Sequence, residues 1–203
     1  MSKRSYPYMT KLFIVLNEDY FLLTHRKELA VRAQESGYDV TIVAKNTGRR
    51  KQVEALGLKM VELPVNPTGK NPIEELKAFW FLYRLYKREK PDIVHHVGLK
   101  VILWGGLAAK LTDVKGVVNA VSGLGVMFSL EKESRLTSLI LSVLRFSNHR
   151  KNLINIFQNH EDERLFIEKG VVTHDQIRFI KGSGVDLKRY AYTLEPVSDK
   201  IRI

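Results

Sequence analysis

The segment Asn119-Ala-Val-Ser-Gly-Leu-Gly125 follows the run Val114-Lys-Gly-Val-Val118 and precedes a long stretch of helical pattern. The run reads as a short buried strand. Two glycines close behind it allow a tight turn and close backbone approach by a ligand. In open parallel sheets, ligands sit in the crevice outside the carboxyl ends of the strands. The segment is therefore a candidate floor of a site, with an ordinary strand-to-helix connection as its alternative.

Outward from it the same alternation repeats. Lys11–Leu16, Asp39–Ala44, Leu58–Leu63, Pro91–His96, Val117–Val121, Leu153–Phe157 and Gln176–Ile180 all read as strands. The first is a continuous apolar run with β-branched residues, the pattern of a strand buried on both faces. Between the strands lie helical patterns. One runs from a Thr24 cap to about Ser36, after a loop over Asn17–Leu23, and Gly37 closes it. Others cover Arg49–Leu56, Ile73–Lys90, a stretch ending at Leu111, Glu133–His149 and Glu161–Lys169. In the Ile73–Lys90 helix, Leu76, Phe79, Trp80, Tyr83 and Tyr86 fit one face, so its aromatics are assigned to the core rather than to a platform for stacking bases. Strands alternating with helices predict an α/β domain: a Rossmann-like parallel sheet with helices on both faces.

Composition narrows the function. The chain has 203 residues, 44% of them hydrophobic, enough for a true core. It has no cysteine, which excludes a disulfide framework and a thiolate metal site. A net charge of +11 favours a polyanionic partner: nucleic acid, acidic lipid headgroups or a phosphate-bearing ligand. The apolar run Leu12–Leu16 is too short for a signal-peptide core. The uncharged runs Val101–Ala109 and Leu136–Leu144 reach about half a membrane span. The expectation is a cytoplasmic protein with no spanning segment, for which peripheral contact with a membrane remains open.

The first strand-to-helix loop lacks the glycine fingerprints that bring backbone amides to a dinucleotide or to the phosphates of a P-loop. It offers Asn17, Glu18, Asp19 and Tyr20 instead, polar groups suited to a hydroxylated ligand. His25 and Arg26 follow. His95 and His96 end the fourth strand, with Lys100 just beyond. Adjacent strand residues point to opposite faces, so the two histidines cannot readily hold one ion, and one is expected inside with the other facing a cleft. There is no G-x-S-x-G.

Asn17-Glu-Asp-Tyr-Phe-Leu-Leu-Thr-His-Arg-Lys-Glu-Leu-Ala30, His96-Val-Gly-Leu-Lys100, Asn119–Gly125, Phe157-Gln-Asn159 and Gly182-Ser-Gly-Val-Asp186 together resemble the N-terminal half of bacterial glycosyltransferase family 4 enzymes. Within these, the chain is most similar to transferases that extend undecaprenyl-diphosphate-linked sugars in surface polysaccharide assembly, such as capsule or O-antigen. The resemblance implies a GT-B architecture, two Rossmann-like domains facing across a cleft. On it, residues 1–190 form the acceptor-side domain, and residues 191–203 form the linker and the start of a nucleotide-sugar domain. The Glu-x(7)-Glu pattern that the resemblance implies belongs to that second domain, so the chain alone is not expected to catalyse.

The implied reaction is retaining transfer from a nucleotide-sugar to a lipid-linked saccharide, with no metal and no other cofactor. The implied partners are the sugar donor, the undecaprenyl-diphosphate acceptor and the anionic inner face of the cytoplasmic membrane, but not nucleic acid. Asn17, Glu18, His25, His96, Lys100 and Asn119 are expected on the acceptor side. Ser122 and Gly123 are expected at the reacting sugar and diphosphate. Gly125, Asn159, Gly182, Gly184 and Asp186 are expected in cleft or phosphate loops. Many relatives have histidine where Ser122 stands and Asn-Gly-Val-Asp where Ser183–Asp186 stands, and the subgroup shares both departures. The rival reading is a stand-alone Rossmann-like module that binds a nucleotide or nucleic acid. Against it are the missing phosphate-loop glycines and the lack of basic-aromatic strand motifs.

Overall fold

A computed structural model describes residues 9–67, 69, 71–123, 135–184, 187 and 191–193. Its centre is a parallel sheet of seven strands in the order β3-β2-β1-β4-β5-β6-β7. The strands are β1 (Lys11–Glu18), β2 (Asp39–Lys45), β3 (Lys59–Glu62), β4 (Ile93–Val97), β5 (Gly116–Val121), β6 (Leu153–Phe157) and β7 (Ile177–Phe179). Each matches a run anticipated from its apolar content. The helices are α1 (Asp19–Phe21), α2 (Lys27–Glu35), α3 (Arg50–Glu54), α4 (Pro72–Glu89), α5 (Leu99–Leu111), α6 (Arg135–Asn148) and α7 (His160–Glu168).

Register assigns the faces. Phe13, Val15, Val94, Val117 and Leu153 share one face with the buried sides of α4 and α5. Further along, Val121 and Phe157 meet α5, α6 and α7 through Ile102, Leu144 and Phe166. On the opposite face, Leu12, Ile14, Leu16, Val40 and Ile42 pack against Leu22, Ala30 of α2 and Val53 of α3. Farther along that second face, Val118, Ile154 and Ile156 remain half-exposed.

Two local readings need correction. Asn17–Leu23 is not a loop. β1 continues through Glu18 with a shift in register after Val15, and the chain turns directly into α1 and then a π-helical turn, Leu22–Arg26. Thr24 lies inside that turn and is not a cap; its hydroxyl donates to the Tyr20 carbonyl at 2.9 Å. Asp19 anchors the turn. Fully buried, it accepts from the amides of Thr47 and Arg49 and from the Thr47 hydroxyl, at 3.0, 3.1 and 2.5 Å. The second correction concerns α4. Its buried stripe is Ala78, Phe79, Leu82, Leu85 and Tyr86, whereas Leu76 and Trp80 face outward, 52% and 47% exposed. The helix is apolar on more than one side, so spacing alone could not choose the inner one.

Candidate functional site

The carboxyl ends of the strands border a cleft of about 1170 Å³. Its walls are the π-helical turn and the start of α2, Arg49 and Gln52 beside α3, the sheet residues His95, Ala120 and Ile156, and the loop Gly182–Gly184. The π-helical turn carries Thr24, His25 and Arg26 into the cleft, and Lys27 and Arg49 add further positive charge. Arg26 Nη1 donates to the Ser183 hydroxyl at 2.7 Å, tying the first loop to the last. Its Nε is buried and has no partner among the described residues. His25 is exposed and bonds through Nδ1 to the Thr24 hydroxyl at 2.6 Å. Positive φ angles at Gly182 (97°) and Gly184 (69°) let the closing loop turn without strain.

The two histidines of β4 do face opposite ways, and the structure decides which is which. His95 lines the cleft. His96 is fully buried on the α4 side, not on the cleft as its expected acceptor role required. Its Nε2 lies 3.0 Å from the Tyr86 hydroxyl and its Nδ1 lies 3.0 Å from Asn119 Oδ1. Asn119, also expected on the acceptor side, is buried in the same network. Its Nδ2 donates to Asn148 Oδ1 and Asn155 Oδ1 at 3.2 and 3.0 Å. These residues stitch α4, β4, β5, β6 and α6 together behind the cleft. Gly105 makes room for the imidazole, since a Cβ there would lie 2.5 Å from His96 Nε2. Burial pushes both imidazoles down to about 4. For His95 the charge of Arg26 and then His96 add to the effect, whereas for His96 the Asn119 bond opposes it. Both rings are neutral near pH 7. Tyr86 is raised by the same burial and stays a phenol.

Lys100 is likewise engaged in structure. Its ammonium donates to the carbonyls of Asn66 and Gly69 at 2.7 and 2.8 Å and to Glu75 Oε1 at 2.6 Å, and Glu75 also accepts from Trp104 Nε1 at 2.5 Å. Asn159 caps α7, accepting from the Asp162 amide at 2.7 Å. Asn17 and Glu18 end β1, half-buried, with Asn17 Oδ1 unpartnered among the described residues. Ser122 and Gly123 are exposed just past β5, and Gly123 has φ of 122°. Gly125 and Asp186 lie outside the described residues. Among the cleft residues that sequence reasoning left off its site list are His95 and Arg26. The only signal for either was the His-His pair and a basic residue early in a helical pattern. Among the described residues no three His, Asp or Glu side chains converge as a metal-binding group, and no helix is long and apolar enough to cross a membrane.

A seven-stranded parallel sheet with helices on both faces and a cationic cleft along its carboxyl edge is a Rossmann-like domain, consistent with one half of a GT-B architecture. The chain belongs to the glycosyl transferase 4-like family, whose model matches residues 11–159. It is 28% identical over 155 residues to an Escherichia coli UDP-Gal:alpha-D-GlcNAc-diphosphoundecaprenol alpha-1,3-galactosyltransferase, covering 76% of this chain and 39% of that protein. The chain thus spans about two fifths of that relative's length. Among solved structures it is similar to a glycosyltransferase from Rickettsia africae, with a TM-score of 0.62 and 17% identity over 92% of this chain and 46% of the other. It is also similar to the UDP-GlcNAc 2-epimerase of Methanocaldococcus jannaschii, with a TM-score of 0.55 and 19% identity over 84% of this chain and 45% of the other. At such identities the likeness shows the fold alone, and the two proteins carry different activities on it.

Proposed function

We propose that the chain is the acceptor-side domain of a hexosyltransferase that moves a sugar from a nucleotide-sugar to a lipid-diphosphate-linked saccharide, with retention, in polysaccharide assembly. The observation that carries this reading is family membership joined to a relative named for a GlcNAc-diphosphoundecaprenol acceptor. In the reaction, the bond between the anomeric carbon and the nucleoside diphosphate breaks. A glycosidic bond forms to an acceptor hydroxyl, whose proton passes to the leaving diphosphate, which also takes the electron pair of the broken bond. Negative charge develops on the leaving group, and the cationic side chains and loop amides of the cleft are suited to meet it. Asn17, Glu18 and His25 line the acceptor wall. Ser122 and Gly123, at the tip of β5, face the reacting sugar. His96, Asn119 and Lys100 support that wall from behind rather than touching the acceptor.

The outer side of α4 supports a peripheral membrane location. Ile73, Leu76 and Trp80 are exposed there beside Lys77, Arg84 and Arg88, an apolar strip with a basic rim suited to an anionic lipid surface. The reading is tested by joining the chain to a nucleotide-sugar domain of the family and supplying UDP-galactose with a GlcNAc-diphosphate lipid. Product with the anomeric configuration of the donor is expected. Ser122→Ala should lower turnover by about tenfold or more, in line with a single lost transition-state contact. If no nucleotide-sugar is consumed with any diphosphate-linked saccharide, the reading fails. If Ser122→Ala turns over at the full rate, Ser122 leaves the catalytic set.

A further inference from the structure

Two groups that line the cleft have polar atoms with no hydrogen-bond partner among the described residues. His95 is 5% exposed and lines the cleft, and its Nε2 is buried without a hydrogen-bond partner among the described residues. Arg26 stands close enough for its charge to act on that ring. It forms no ion pair among the described residues, its Nε is unpartnered there, and its Nη1 is held only by neutral acceptors, the Ser183 hydroxyl at 2.7 Å and, at 3.4 Å, the His25 carbonyl. A buried polar atom without a partner costs free energy unless something else supplies the bond. Here the two atoms belong to groups of different character. The guanidinium is a planar donor suited to phosphoryl oxygens. The imidazole is neutral, and the Val118 backbone favours its protonated form as a carbonyl does, which assigns the ring proton to Nδ1 and leaves the unpartnered Nε2 bare. Nε2 therefore presents a lone pair, which repels a phosphate oxygen and accepts from a hydroxyl.

We propose that His95 and Arg26 form a subsite for a sugar phosphate, with Arg26 holding the phosphoryl oxygens and His95 Nε2 accepting a hydrogen bond from a sugar hydroxyl. Arg26 exchanges the Ser183 hydroxyl for the phosphate when the ligand arrives, so the loop Gly182–Gly184 is released as the subsite fills. This subsite rests on the sugar-transfer reading of the cleft, and its residues are distinct from the Asn17, Glu18 and His25 wall.

The test is calorimetric titration of the 203-residue chain with glucose 1-phosphate, inorganic phosphate and glucose. Glucose 1-phosphate should bind about tenfold or more tightly than either fragment. Arg26→Gln should weaken glucose 1-phosphate and inorganic phosphate alike, by about tenfold or more, as expected for a lost charge-assisted bond. His95→Leu should weaken glucose 1-phosphate and leave inorganic phosphate unchanged; His95→Asn is read the same way if the leucine variant does not fold. Ser183→Ala should bind phosphate at least as tightly as the parent. No binding of glucose 1-phosphate, an unaffected Arg26→Gln variant, or equal losses for both phosphates in the His95 variants would each overturn the subsite. Binding as described, with no transfer by the chain joined to a nucleotide-sugar domain, would sink the transferase reading and keep the subsite. Transfer at full rate by Arg26→Gln, with unchanged binding, would do the reverse.

Discussion

Gly105→Ala is the sharpest test of the buried network behind the cleft. In an ordinary helix interior the substitution stabilises by about 1 kcal/mol, because alanine is the better helix former. Here the new methyl would lie 2.5 Å from His96 Nε2 and 2.6 Å from Cδ2. The ring cannot swing aside cheaply: it is fully buried and held at 3.0 Å by both Tyr86 and Asn119. Overpacking a rigid site costs about 1–3 kcal/mol, and displacing the ring from a buried partner costs about 1–3 kcal/mol more. After subtracting the helix gain, the expected net loss is about 1–5 kcal/mol, or about 2–20 °C in Tm for a chain of this size. Urea unfolding measures the first and a thermal melt the second. Gly106→Ala is the internal control, since its nearest neighbour is Ser147 at 3.4 Å; it should fall within about 1 kcal/mol of the parent. In a His96→Ala background, Gly105→Ala should turn from harmful to helpful, giving a coupling of about 2–6 kcal/mol, the parent's loss plus the helix gain. If Gly105→Ala were neutral or stabilising in the parent, α5 would not sit against His96, and the network would be wrong.

Other outcomes follow from the same geometry. The two imidazoles titrate near 4 in the folded chain and near 6.5 when unfolded, so the unfolded chain binds more protons between those values. Stability should be complete above about pH 6.5 and fall as the pH drops towards 4, by up to about 2.7 kcal/mol per unit if both groups contribute; urea melts across that range should lose the slope in a His95→Asn, His96→Asn double variant. Asp19→Ala strips two backbone amides of their acceptor and should cost about 2–4 kcal/mol, with Asp19→Asn costing less, both measured by chemical denaturation. Lys100→Met leaves the half-buried Glu75 carboxylate without its cation and should cost about 3 kcal/mol, while Lys100→Met with Glu75→Gln should recover part of it.

Most of the scaffold was legible because a parallel sheet buried on both faces writes its strands as unbroken apolar runs. Leu12–Leu16 and Val40–Ala44 could hardly be anything else. That same pattern hides orientation. In Ile93-Val-His-His-Val97 no alternation marks an inner face, so the sequence said that the histidines diverge without saying which one enters the cleft. Only the pairing of Ile14 with His95 and of Val15 with His96 decides it. Asn17–Leu23 was misread because a strand that passes directly into a π-helical turn lacks the usual cap signal, and the Asp19 side chain that stabilises the turn finds its partners 28 and 30 residues away. Lys100 looked like a free cation near a site. Its acceptors are two carbonyls of a distant loop and the Glu75 carboxylate, 25 residues away, which no local pattern discloses.

The order β3-β2-β1-β4-β5-β6-β7 has a consequence for how the chain is made. Of the seven strands, the earliest in the chain becomes an interior strand of the sheet. β2 and then β3 add to one side of it, and every later strand adds to the other. No strand has to be inserted between two already paired, so the sheet grows outward from its oldest member at free edges only. The long wait is on one side of β1, where Lys11 does not meet Asp92 until 81 residues later. Closing that gap is the largest single loop the sheet must close, and its entropic cost grows only with the logarithm of its length. Birth order and spatial order therefore agree everywhere except at this one crossing, where the polypeptide turns back over its own beginning.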